Sequence, residues 1–231
     1  IIFRGTEGTA QVFDKNASAA AAMANLVISN HDGITLASGG SFEVSEGLYL
    51  TGGSITNSGT FTLTSDATST GYIANVTGAN TVVGDINVER YMSARTADWN
   101  SIACSGVTTD LEDIDGEIYL SGITGSDGGA AGFISVGYYD NVGDTYAIPN
   151  STADNFELGR GYHFWLGDNL TNWNAKAWSL SGSINLSSTD LSVDEAGSGM
   201  NLLGNPFPAF LDFSQINADY PPIQGDEFWY Y

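Results

Sequence analysis

Residues 1–90 are built from short stretches in which apolar and polar positions alternate. The apolar residues come in pairs two positions apart, which places both side chains of a pair on one face of a strand. The clearest pairs are Leu26/Ile28, Ile34/Leu36, Phe42/Val44, Leu48/Leu50 and Phe61/Leu63; with Ile55 between the last two, they recur every six to eight residues. Gly, Ser, Asn or Asp separate them. Strands this short, joined by turns this tight, are typical of a β-solenoid, in which each coil adds small strands to several flat faces.

A coil of roughly 20 residues predicts about three or four coils, stacked about 4.8 Å apart. A set of hairpins in an ordinary β-sandwich would give a similar alternation, so that alternative stays open. Residues 17–24 are helix formers behind Asn16, a residue type that often caps a helix. Either a single helical turn or a loop over the end of the solenoid would fit this stretch.

Residues 91–231 have a different pattern, with longer and more aromatic strands. This region holds 21 of the 27 aromatic residues. Asp, Asn and Gly loops separate its strands at spacings typical of a Greek-key sandwich. The predicted strands cover residues 117–120, 133–139, 161–166, 177–180, 200–203 and 227–231. The sequence therefore predicts an all-β fold: a short β-solenoid over residues 1–90, followed by a β-sandwich-like domain over residues 91–231.

The charge excludes some classes of partner. The chain has 27 Asp and Glu against 6 Lys and Arg, a net charge of -21. Nucleic acids and anionic membranes need basic patches, so we expect neither as a partner. No apolar run approaches the length of about 18 residues that would predict a membrane-spanning helix. Cys104 is the only cysteine, so the chain has no internal disulfide.

Both ends of the sequence have the composition of strand interiors. Residues 1–5 lack the basic and apolar segments of a signal peptide, and residues 227–231 are strongly apolar. Exposed chain ends rarely have this character. We therefore expect the 231 residues to be part of a longer protein, with the second domain truncated at its C-terminal end.

Several segments resemble parts of large surface proteins of Bacteroidota. In the first region these are residues 2–12, 25–30, 34–40 and 54–63. The stretch VGDINVERY at residues 83–91 resembles the segment that leads into the following domain of those proteins. Residues 158–164, LGRGYHF, are similar to a "G-x-G-Y" strand of the family. Residues 200–208, MNLLGNPFP, are similar to its "W-N-L-[LV]-G-N-P-[YF]-P" segment, with Met200 where Trp is usual.

The resemblance implies export and display outside the cell. Such proteins usually end in a β-sandwich sorting domain that the type IX secretion system recognises, and the 231 residues do not contain it. An extracellular or cell-surface location, on the exterior of the outer membrane, is the expectation that follows. The secretion machinery would then be one partner, with glycans or other surface proteins as further partners. The resemblance does not imply an enzymatic activity.

The residues that catalysis requires are sparse. His31 and His163 are the only imidazoles, the first in a turn and the second within an aromatic strand. No nucleophile-elbow serine motif or phosphate-binding Gly loop is present. Enzymatic solenoids that cleave acidic polysaccharides need basic residues beside their acids, and residues 1–90 have almost none. We expect no catalytic residues and no enzymatic activity.

An acidic segment is a candidate calcium site. Asp110, Glu112, Asp113 and Asp115, followed by Glu117, place five carboxylates within eight residues. Calcium takes six to eight oxygen ligands, which carboxylates and carbonyls of such loops can supply. The loops at residues 140–144 and 168–169 are similarly rich in oxygen ligands. The positions around Gly116 do not follow the EF-hand pattern, and the alternative is a solvated acidic loop.

Aromatic residues of the second region are candidates for stacking on sugars. Trp173 lies in the polar stretch 169–174 and is the best placed, and Trp165, Trp178, Tyr138 and Tyr139 are further candidates. Aromatic side chains spaced by two in a strand also serve as core residues or cross-strand pairs, and this alternative applies here.

Three hypotheses for the function follow. The first is a non-catalytic segment of a large exported cell-surface protein with a structural stalk or adhesin role. The second is a carbohydrate-binding accessory module of a secreted hydrolase. The third is a solenoid enzyme whose active residues lie upstream.

The calcium hypothesis predicts a change in thermal stability. If residues 110–117 bind Ca²⁺ only in the folded state, added Ca²⁺ raises the melting temperature and EDTA lowers it, because a ligand of the folded state stabilises that state. Thermal unfolding followed by circular dichroism measures both effects. Melting that is unchanged by either addition would remove calcium as a ligand.

Overall fold

The computed structural model describes residues 1–5, 8–14, 20–167, 172–191, 193 and 199–212. Nearly all regular secondary structure in these residues is β-strand, with one short helix. The predicted fold class is confirmed: a β-solenoid of about four turns is followed by further sheets. No helix among the described residues is both long and apolar enough to cross a membrane.

The solenoid has three faces, each a sheet of parallel strands. Each coil contributes one strand to each face, so every third strand along the chain is a neighbour in space. The first two coils contain β1 (Ile2–Phe3), β2 (Gln11–Phe13), β3 (Ala21–Met23), β4 (Leu26–Ile28), β5 (Ile34–Leu36) and β6 (Ser41–Val44). The next two contain β7 (Gly47–Leu50), β8 (Ile55–Asn57), β9 (Thr60–Leu63), β10 (Tyr72–Val76), β11 (Val82–Val83) and β12 (Ile86–Met92).

The alternation in the sequence sets the core of the solenoid. In β4 and β5 the first and third residues are buried and the middle residue is not. The register places apolar residues of successive coils above one another, as with Ile34 and Ile55, or Phe42 and Phe61. A slip of one residue would turn every such side chain outward, so burial fixes the register.

Phenylalanine rings form a stack inside the solenoid. The rings of Phe13 and Phe42 have centroids 4.1 Å apart, and those of Phe42 and Phe61 are 6.0 Å apart. Phe3 lies 6.2 Å from Phe13. Both Phe42 and Phe61 are fully buried, so this stack joins successive coils through their interior.

The described residues of the second region form seven strands and a helix. They are β13 (Asp98–Ile102), β14 (Val107–Asp110), α1 (Leu111–Asp115), β15 (Val136–Asp140), β16 (Thr145–Ala147), β17 (Asn155–Phe156), β18 (Tyr162–Leu166) and β19 (Lys176–Ile184). Strands β13, β18, β15 and β16 form an antiparallel sheet in that order. Phe156 of β17 packs against Tyr162 and Phe164 of β18, with ring centroids 4.9 and 5.7 Å apart. The inner face of this sheet therefore belongs to the core.

One sheet connects the two regions. The third face of the solenoid continues through β12 into β19, β14 and β17, giving a sheet of seven strands. Strands β12 and β19 are antiparallel and in register over seven residues, from Ile86 opposite Gly182 to Met92 opposite Lys176. The predicted boundary between residues 90 and 91 lies inside β12, and the division into domains stays a prediction.

Arg90 lies at this junction. Its guanidinium donates hydrogen bonds to the backbone oxygens of Glu89 (2.7 Å) and Gly71 (3.3 Å). Burial lowers its pKa to about 10, so the group remains charged at neutral pH.

Some predicted elements differ from the structure. Residues 21–23 form strand β3, because they pair with β6, whereas a helical turn or a loop was expected. Residues 117–120 form no strand and follow the end of α1, and residues 200–203 make only a single bridge, between Leu203 and Arg160. The predicted strand at residues 227–231 lies outside the described residues.

The glycine pair at residues 52 and 53 provides a test of coil-to-coil packing. A Cβ on Gly53 would lie far inside contact distance of the backbone oxygen of Asn30, which is fully buried, whereas a Cβ on Gly52 would meet nothing closer than 3.4 Å. We expect Gly53→Ala to lower the free energy of unfolding by about 1–3 kcal/mol, since backbone must shift to relieve the overlap. Gly52→Ala, the matched control, should change it by less than about 0.5 kcal/mol. Urea denaturation measures both, and equal stabilities of the two variants would contradict the described packing.

Candidate functional site

The acidic segment begins with the cap of helix α1. The side chain of Asp110 accepts a hydrogen bond from the backbone N–H of Glu112 at 3.1 Å, which is the role of an N-cap residue. The carboxylate of Glu112 accepts a hydrogen bond from the hydroxyl of Thr152. These two carboxylates thus stabilise the start of the helix and its contact with a neighbouring loop.

Asp113 connects the helix to the shared sheet. Its carboxylate accepts hydrogen bonds from the backbone N–H of Ser181 in β19, at 2.5 Å, and from the hydroxyl of Thr109, at 3.4 Å. Both partners lie on the strands beneath α1, so this side chain holds the helix against β14 and β19.

Asp115 holds the loop that follows the helix. One carboxylate oxygen accepts from the backbone N–H of Leu120 at 3.1 Å and the other from that of Asp127 at 3.2 Å. The residue is only 8% exposed. Burial raises the pKa of Asp115, and the nearby acids Asp127 and Glu112 add to the increase.

Four of the five carboxylates border an open polar depression of about 560 Å³. Its lining consists of Asn87, Thr109, Asp110, Glu112, Asp113, Gly116, Glu117, Ser179 and Ser181. Burial also raises the pKa of Glu117, while the ammonium of Lys176 opposes that increase. Among the described residues, no three His, Cys, Asp or Glu side chains form a group that could hold a metal ion. Calcium binding by Asp110, Glu112, Asp113 and Asp115 stays a prediction. The loop at residues 168–169 lies outside the described residues.

Trp173 is a core residue. Its side chain is 1% exposed, and its indole N–H donates to the backbone oxygen of Met92 at 3.3 Å. The ammonium of Lys176 lies 5.0 Å from the centre of the ring. Backbone hydrogen bonds with Arg95 in both directions hold the residue in place. The predicted sugar-stacking role of Trp173 does not fit this burial, because neither face of the ring is open to a ligand.

A different group of aromatic side chains is open to solvent. In β18, Tyr162, Phe164 and Leu166 are buried, so His163 and Trp165 lie on the opposite face of the sheet. On that face Trp165 is directly opposite Trp99 of β13. We use the name outer aromatic face for the side chains on this side of the sheet, which are Trp99, Phe133, Tyr139, Tyr146, His163 and Trp165.

Three of these rings form a tight cluster. The ring centroids of Trp99 and Trp165 are 5.8 Å apart, and those of Phe133 and Trp165 are 5.5 Å apart, both in edge-to-face arrangements. Trp99 and Phe133 are 6.1 Å apart. Trp165 is half-buried between its neighbours, whereas Trp99 is 43% exposed and Phe133 is 46% exposed. Such a cluster of large apolar groups on a surface marks a binding site more often than single exposed residues do.

The other half of the face is more polar. The hydroxyl of Ser101 lies 3.4 Å from Nδ1 of His163, and the hydroxyl of Tyr146 lies 3.1 Å from Nε2. Burial lowers the pKa of His163, so the imidazole is neutral at neutral pH. The imidazole is thus a hydrogen-bonding group between two hydroxyls.

Sequence reasoning missed most of this face. Trp165 and Tyr139 were candidates, but Trp99 and Phe133 were not. Trp99/Ser101 and His163/Trp165 each have the spacing of side chains on one strand face. That signal identifies a face but does not show which strands are neighbours, and the pairing of β13 with β18 creates the cluster.

Comparisons with protein-family models, with curated proteins and with solved structures found no match for this chain.

The raised pKa of Asp115 predicts a pH dependence of stability. The folded state binds the proton of the Asp115 carboxyl more tightly than the unfolded state does. The carboxyl therefore stabilises the fold most at pH values below its unfolded pKa of 3.8. This contribution is lost as the pH rises through the folded pKa. We therefore expect the free energy of unfolding of the unsubstituted protein, relative to that of Asp115→Asn, to fall as the pH rises from about 3 to about 6. Urea denaturation at a series of pH values measures the difference. Parallel curves for the two proteins would contradict the shift.

Proposed function

We propose that the chain is a non-catalytic segment of a large exported cell-surface protein, with a structural stalk or adhesin role. One observation carries this proposal: the seven-stranded sheet that runs from the solenoid into the second region. A stalk has to transmit orientation and force from one part to the next. A sheet shared by two regions does so through hydrogen bonds and a common core, whereas a flexible linker does not.

The core beneath the shared sheet supports this role. Val88 of β12 and Leu180 of β19 are opposite each other and fully buried. Ile86 and Trp178 lie on the same two strands and are 1% and 3% exposed. Bending the two regions against each other would separate these side chains, which costs free energy in proportion to the apolar area exposed.

The solenoid suits a spacer. Each coil pairs with the coils before and after it on three faces, so the structure is stiff along the direction in which coils stack. The net charge of -21 favours solubility and discourages nonspecific contact with nucleic acids and anionic membranes. The resemblance to surface proteins of Bacteroidota adds a location outside the outer membrane and export by the type IX secretion machinery.

Tryptophan positions allow a test of rigidity. All five tryptophans lie in the second region, so their fluorescence reports that region, whereas circular dichroism reports both. If the two regions form one rigid unit, urea unfolding followed by the two probes gives coincident curves. Leu180→Ala should shift both curves together, by about 2–5 kcal/mol, because it removes a fully buried side chain from the shared core. Val83→Ala, at a position 56% exposed, is the control and should change stability by less than about 0.5 kcal/mol.

Two separate transitions, or a Leu180→Ala effect confined to fluorescence, would contradict a rigid connection. The surface location is tested on source cells with an antibody against the chain. Labelling of intact cells is the expected result, and labelling only after permeabilisation would contradict the proposal.

A further inference from the structure

We propose that Trp99, Phe133 and Trp165 form a binding site for neutral polysaccharide. This inference goes beyond the stalk role and does not depend on it. The three rings are the tight cluster of the outer aromatic face, and two of them are more than two-fifths exposed. A sugar ring has a face of C–H groups and an edge of hydroxyls, which requires an aromatic surface beside polar groups.

The cluster supplies the aromatic surface. Trp165 contacts both neighbours edge to face, at 80° to Trp99 and 73° to Phe133. This packing restrains the two exposed rings, so little side-chain freedom is lost when a ligand stacks on them. The pairing of Trp99 with Trp165 on adjacent strands places this surface on a rigid sheet.

Polar side chains lie beside the rings on the same face of the sheet. Ser101 follows Trp99 on this face of β13, and His163 precedes Trp165 on this face of β18. The hydroxyls of Ser101 and Tyr146, which contact the two nitrogens of His163, each keep acceptor capacity for the hydroxyls of a neutral sugar.

Charge indicates that the ligand is neutral. The chain carries 27 acidic residues and only 6 basic ones, so an anionic polysaccharide would be repelled from most of the surface. Arg95, the basic residue on the segment before β13, donates a hydrogen bond to the side-chain oxygen of Asn100, so this donor is not available to an anionic ligand.

The exposed area of the cluster favours a sugar over a protein as the ligand. Large aromatic side chains have an accessible area of roughly 150–250 Å² each, so Trp99 and Phe133 at their observed exposures offer roughly 200 Å² together. A stable protein interface buries about 800 Å² on each partner. The cluster is the right size for one or two sugar units and too small to hold a folded protein alone.

Affinity electrophoresis of the 231-residue chain tests the proposal. The gels contain a soluble neutral polysaccharide (mixed-linkage β-glucan, xylan or galactomannan) or the anionic polygalacturonate. We expect retardation by at least one neutral polymer and none by polygalacturonate. Trp99→Ala and Phe133→Ala should each weaken binding by about tenfold, as expected for central aromatic contacts. Val142→Ala is the control, because Val142 is 68% exposed and outside the cluster, and it should bind as the unsubstituted protein does.

Urea denaturation checks that the variants remain folded, as the exposure of both side chains predicts. No retardation by any neutral polymer, or full retardation of Trp99→Ala, overturns the proposal. Retardation by polygalacturonate alone does so as well. A concentration-dependent dimer in sedimentation that Trp99→Ala abolishes would show that a second copy occupies the cluster, which also overturns it. These outcomes are separate from the rigidity test, because a flexible chain can bind sugar and a rigid one can fail to bind it.

Discussion

The pairing of β12 with β19 is the interaction on which the rest of the structure depends. A parallel solenoid leaves unpaired backbone groups at the edge of its last coil, and such edges invite association with other chains. Here the return of the chain as β19 satisfies one of these edges with seven antiparallel residue pairs. The same strand pairs with β14 on its other side, so the second region is built outward from the end of the solenoid.

The acidic segment at residues 110–117 has a structural role in this arrangement. Helix α1 lies over the shared sheet, and the hydrogen bond from the backbone of Ser181 to Asp113 holds it there. Asp115 then fixes the following loop through two backbone N–H groups. Carboxylates that look like metal ligands in the sequence act here as acceptors for backbone donors, a role that polar groups in partly buried loops commonly fill.

Local patterns predicted more of this protein than long-range ones. The alternation at Ile34/Leu36 and Phe42/Val44 predicted short strands with one buried face, because burial of every second side chain is a local property. The short spacing of these strands favoured a solenoid but left a sandwich open, since the alternation does not specify which strands pair. Trp173 shows the opposite case. Its sequence neighbours are polar, but its ring is buried, and its hydrogen-bond partner Met92 is 81 residues away. The cluster around Trp99 likewise depends on strand pairing, which no local pattern specifies.

The hydrogen bonds of Arg90 at the junction depend less on pH and salt than interactions between charged side chains do. Its guanidinium donates to backbone oxygens rather than to carboxylates. Backbone oxygens carry no titratable proton, so acid that neutralises the loops leaves these bonds intact, and added salt screens them less than it screens pairs of opposite charges. Acidity and ionic strength therefore act weakly on the hydrogen bonds of Arg90 at the point where the two regions meet.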